Sequence, residues 1–70
     1  MEKIIEVVKT PNMYYLVVNK KIYGQYIPTT QGLYLVRSKA FEICQYYGKC
    51  FAIEWEFSGS KEELEAKLKQ

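Results

Sequence analysis

Leu33-Tyr34-Leu35-Val36, "LYLV", follows the turn-forming residues 28–32 (PTTQG) and precedes Arg37-Ser38-Lys39. Two readings compete for it, and they give different architectures. As a strand it adds a fourth member to a β-meander. As a helix it opens a longer element, because Leu33, Val36, Ala40, Cys44 and Tyr47 recur at helical spacing. The strand is adopted. Gly32 and the β-favouring side chains fit it, and Ser38 makes a good N-cap for a helix beginning at Lys39. Residues 39–47 are helical in either case.

Working towards the N-terminus, residues 22–27 (IYGQYI) read as a strand with Gly24 as a candidate bulge. Asn19-Lys20-Lys21 is a short hairpin connection, and residues 13–18 (MYYLVV) form the clearest strand. Thr10-Pro11-Asn12 is a turn, and the β-branched residues 3–9 (KIIEVVK) are a strand. In the other direction, Ala40, Ile43, Cys44 and Tyr47 form the helix's inner stripe, with Gly48 at the expected left-handed cap. Residues 50–57 (CFAIEWEF) alternate. Phe51, Ile53, Trp55 and Phe57 share one face and Cys50, Ala52, Glu54 and Glu56 the other, as in a half-buried antiparallel strand. Ser60 and Glu63 make a capping box for a helix over residues 61–69. Its apolar stripe is only Leu64 and Leu68, with Glu63/Lys67 and Glu65/Lys69 spaced to pair along it. The fold class expected for residues 1–70 is α+β in a single compact domain. It is an antiparallel meander of three or four strands, then helix, strand and C-terminal helix, in two layers with the first helix on one sheet face.

Composition narrows the function. Hydrophobic residues are 49% and charged residues 26%, as in an ordered globular chain. No apolar run approaches the ~20 residues of a membrane span, and the first residues lack a signal-peptide pattern. A cytoplasmic protein with reduced thiols is expected. A net charge of +2 is wrong for a DNA mimic and short of the concentrated basic surface of a typical nucleic-acid binder.

Catalytic and metal chemistry find little footing. There is no histidine, and the two cysteines, Cys44 and Cys50, cannot complete a zinc site alone. If the first helix covers Phe51, Ile53 and Trp55, the two sulfurs point into different layers. Two unpaired thiols are therefore expected, with Cys44 a small core residue. Glu54 and Glu56 lie roughly 7 Å apart along their strand, a spacing met in glycosidases, but neighbouring solvent-side positions give the same spacing. No nucleophile elbow or phosphate-cradling glycine loop occurs, so no enzyme activity and no cofactor are expected.

Binding is the remaining possibility. Met13, Tyr15 and Val17 face one way and Tyr14, Leu16 and Val18 the other, so the middle strand is apolar on both sides. Either the second helix wraps to the far face or that face buries against another molecule. The expected contacts are the outward tyrosines Tyr14, Tyr23 and Tyr34 with Lys20 and Lys21. In size, tyrosine content and the order strand–strand–strand–helix–strand, the chain resembles small accessory proteins of phages and other mobile elements, including the anti-CRISPR inhibitors of host defence. The resemblance implies a stoichiometric inhibitor whose partner is a host protein, such as a CRISPR-type nuclease complex, blocked by occlusion in the host cytoplasm. The alternative is a small single-stranded nucleic-acid-binding protein. It would use Tyr14, Tyr23, Tyr26 and Tyr34 on neighbouring strands with a rim of Lys20, Lys21, Arg37, Lys39 and Lys49. A third is a homodimer joined through the same face. No membrane partner is expected.

Overall fold

The computed structural model of the protein describes residues 3–48 and 50–70, apart from the side chains of residues 3, 50 and 51. Three runs rich in β-branched and aromatic residues form the meander: β1 (Lys3–Lys9), β2 (Tyr14–Val18) and β3 (Lys21–Tyr26). β1 pairs antiparallel with β2, and β2 with β3. The β2–β3 hairpin turns on Asn19 and Lys20, both at positive φ (51° and 67°). Positive φ at both central residues matches the twist of the flanking strands. Asn19 then ties the turn to β1, its N–H donating to the Ile4 carbonyl at 3.0 Å and its Oδ1 accepting from the Ile4 N–H at 3.2 Å. The bulge expected at Gly24 falls one residue earlier. Leu16 opposes Gly24 and Val17 opposes Ile22, leaving Tyr23 as the extra residue.

The LYLV stretch is helical, which corrects the strand expected over residues 33–36. α1 runs Thr30–Tyr47, 18 residues, and Thr29 rather than Ser38 is its N-cap, with its hydroxyl accepting from the Gly32 N–H at 3.1 Å. Gly32 is needed here for a reason unrelated to strand formation. A Cβ at this position would stand 1.8 Å from the Ile27 carbonyl oxygen, so the first helical turn can close only over a glycine. Val36, Ala40 and Ile43 are buried along one stripe, and their packing outweighs the β-preference of Tyr and Val. At the other end Gly48 has φ 82° and its N–H bonds the Cys44 carbonyl, as expected of a helix stop.

The longer helix changes the topology. Eighteen residues span about 27 Å at 1.5 Å per residue, enough to carry the chain back along the sheet. β4 (Cys50–Glu56) therefore lies parallel to β1, not antiparallel as expected, and the mixed sheet has the order β3-β2-β1-β4. Among the described residues the architecture is α+β, with four strands and two helices.

Helices cover both sheet faces, which replaces the expected two layers. Under α1 lie Ile5, Val7 and Leu16, with Val18 and Tyr26 beside them. On the opposite face α2 (Lys61–Leu68) sets Leu64 and Leu68 against Val8, Tyr15 and Val17, with Trp55 and Phe57 at the margin. The second helix does wrap to the far face, and the two-sided apolar pattern of β2 is satisfied within the chain. The capping box forms as expected, each amide within 3.2 Å of its acceptor. The Glu63/Lys67 and Glu65/Lys69 pairs do not form. Glu63 caps the helix instead, and the Lys67 ammonium lies 6.0 Å from the Trp55 ring centroid. The remaining strand and helix ends fall within one residue of the expected ones.

The thiol expectation is also corrected. Cys44 packs beside the α1 core and is disulfide-bonded. The chain's other cysteine is Cys50, whose side chain, like that of Phe51, lies outside the described ones. The expectation assumed that α1 covers the aromatic face of β4. In fact Cys44 shares a shallow pocket with Val7, Ala52 and Glu54, so α1 sits over the even-numbered positions of that strand.

Candidate interaction surface

α1 is apolar on two sides. Its inner stripe packs on the sheet, yet Tyr34 is 70% exposed, Phe41 65% and Tyr46 82%, with Leu35 and Tyr47 also exposed. Tyr46 and Tyr47 meet edge-to-face with ring centroids 4.9 Å apart. This pair, with Ile43 and Lys39, forms one wall of a cleft whose opposite wall is Tyr23 on β3. Tyr23 is 60% exposed because it is the bulge residue of an edge strand, turned out of the ladder.

On the other side of Tyr23, between β3 and α2, runs a groove of about 350 Å³. Lys20 and Lys21 from the hairpin and Lys61 and Lys69 from α2 line it, with Gln25 and Leu68, against a single carboxylate, Glu65. The Lys20 ammonium donates to the Gln70 carbonyl at 3.2 Å, at the rim.

The acidic side of the sheet is neutralised internally. Arg37 grips Glu54 with two parallel hydrogen bonds, Nε to Oε2 at 2.6 Å and Nη2 to Oε1 at 2.8 Å. Lys9 adds a weaker contact at 3.7 Å. The hydrogen bond from Arg37 holds the Glu54 carboxyl below the usual carboxylate range, against the desolvation that pushes it up, and the same bond raises Arg37. A carboxylate held ionised in this way is a poor general acid. Glu6, on the opposite face, accepts from the Trp55 indole at 2.9 Å. Among the described residues no cluster of three cysteines and carboxylates could hold a metal ion, and no helix is long and apolar enough to cross a membrane.

The expected contact residues separate. Tyr23, Lys20 and Lys21 stay together at the β3 end. Tyr34 belongs to the outer face of α1, not to a strand, and with it Arg37 and Lys39 move from strand ends to the helix. Tyr14 is half-buried opposite Tyr26, in a pocket with Leu33 and Phe57 that lies apart from Tyr23. Arg37 is engaged by Glu54, and Lys49 lies outside the described residues. Phe41, Tyr46 and Tyr47 had not been singled out as contacts. The sequence held one signal for them: two consecutive tyrosines on a helix point about 100° apart and cannot both face a core. Compared with known proteins, the chain matches no family model, no curated protein and no solved structure.

Proposed function

We propose that the protein is a non-enzymatic protein-binding module that acts by covering its target, as a stoichiometric inhibitor of a host defence protein of the kind encoded by phages and other mobile elements. The observation that supports this reading is the two-sided apolar character of α1. Ser38, Glu42 and Gln45 keep the outermost strip of the helix polar, but large apolar side chains flank it outside the stripe that the sheet covers, and exposed apolar surface of this kind marks interaction sites. Tyr34, Leu35, Phe41 and Tyr46 provide large, rigid contact area with a polar tip on each tyrosine, the composition of interface centres. The surface differs from the one the sequence pointed to, since a helix packs on each face of the sheet. The inhibitor role and the host cytoplasm come from the resemblance in size and element order. In a reducing cytoplasm the disulfide at Cys44 would be short-lived, so binding is proposed not to depend on it.

The test compares tagged wild-type chain with Tyr34→Ala/Phe41→Ala in capture from bacterial lysate. Exposed truncations of this kind change folding stability by only about 0.5 kcal/mol, whereas loss of two central aromatics weakens an interface by about 30-fold or more. The expected result is a host protein retained in stoichiometric amount by the wild type, inhibited by it in activity, and lost with the double variant. Equal retention by both would sink the reading. So would a stable homodimer in light scattering that Tyr34→Ala/Phe41→Ala converts to monomer.

A further inference from the structure

The groove between β3 and α2 meets the aromatic cleft of α1 only at Tyr23, and its chemistry is different. Four lysines surround it and one glutamate opposes them. At the other sheet edge Glu54 is matched by Arg37 and Lys9. Lysine is also the only cation type in the groove, the chain's single arginine being held by Glu54. The planar fork of arginine suits carboxylate and phosphate alike, so lysine by itself does not choose between them. Ammonium groups act as movable point charges that follow a phosphate backbone without reading sequence.

Two further features bear on the occupant. Tyr23 stands at the lip with its ring exposed, and an exposed ring beside a basic groove can stack on a base only if that base is unpaired. Lys20 holds a left-handed backbone, φ 67°, at a turn position where glycine or asparagine is the usual solution. Keeping a lysine there costs about 1 kcal/mol, and such a cost at a surface turn points to a role for its ammonium. We propose that this groove holds the phosphate backbone of single-stranded nucleic acid, with Lys20, Lys21, Lys61 and Lys69 on the phosphates and Tyr23 stacked on a base.

The experiment is fluorescence anisotropy with the full chain and a labelled oligothymidylate of about 12 nucleotides. Four phosphate contacts give a salt slope near −2.8, so affinity should fall about 50-fold between roughly 50 and 200 mM salt. In Lys20→Ala/Lys21→Ala the slope should halve, and the same salt step should cost only about 7-fold. Tyr23→Ala should lose about tenfold at fixed salt. Glu65→Gln should bind more tightly than the wild type, a gain that misfolding cannot imitate. Tyr34→Ala/Phe41→Ala should bind the oligonucleotide normally, so failure here and failure of the protein-binding reading are told apart. Absence of binding at low salt, an unchanged slope in the lysine variant, or equal displacement of the oligonucleotide by polyglutamate would each overturn the assignment. The last result would make the groove a site for acidic peptides.

Discussion

Three residues carry consequences that can be measured one at a time. At Gly32 a methyl group collides with the Ile27 carbonyl oxygen, a backbone atom that cannot rotate away. Gly32→Ala should therefore destabilise the fold by about 2–3 kcal/mol, read as a lower urea midpoint with an unchanged m-value, although alanine is the better helix former. At Lys20 the opposite holds. Lys20→Gly relieves the left-handed strain, offset by glycine's greater loss of chain entropy, and should raise stability by about 0.5 kcal/mol while weakening oligonucleotide binding. Glu54 gives a pH signature. Its folded carboxyl is more acidic than the unfolded one, so the stabilisation is fully present above the unfolded pKa of about 4.3. It is lost as pH falls through the lower folded value. Glu54→Gln should be less stable than the wild type at neutral pH, with the two urea midpoints converging as the solution is acidified. The effect should be small, because both partners are partly exposed and screened by solvent.

The elements differ in how they are stabilised, and this decides which of them could be read in advance. β1 and the α2 capping box were legible because their signals are local: a β-branched run, and a serine three residues before a glutamate. The first half of α1 was not. Its N-cap signal, Thr29 bonding the Gly32 amide, sits in a cluster that also reads as a turn, and Gly32 matters through a contact with Ile27 that no local pattern displays. The helical recurrence of Leu33, Val36 and Ala40 was the correct clue. Losing that half of the helix also concealed the parallel pairing of β4 and put the disulfide question on the wrong face. Of the contact residues, Tyr23, Lys20 and Lys21 were visible as a turn and strand rich in tyrosine and lysine, whereas Phe41 and Tyr46 became candidates only once α1 was known to be exposed on that side. α2 is eight residues long and would be marginal in isolation. Its contribution rests on two leucines. Leu64 is fully buried, and Leu64→Ala should cost about 2–4 kcal/mol in denaturant unfolding, a large share of the stability of a domain this small.

At the scale of the whole molecule, the Cα trace is a slab 31 × 30 × 15 Å, thin for its breadth. α2 does not extend over the whole of its face, and Ile4 and Ile53 remain exposed there. The disulfide-bonded Cys44 stands away from the lysine groove and shares a pocket with only one of the outer aromatics, Phe41. Replacing both cysteines with serine should lower the urea midpoint and leave partner and oligonucleotide affinity intact. A loss of affinity at unchanged stability would tie the cysteines to binding after all. The pairing of β1 with β4 has a consequence in time as well as in space. β1 has its second edge filled by residues 50–56, which emerge only after α1. During synthesis the meander and α1 can form from neighbouring segments, while β1 waits with seven residues of unpaired backbone along one side. A nascent chain stalled before β4 would present that bare strand to any other extended segment within reach. Chains cut short there should accumulate as aggregates rather than as soluble partial folds.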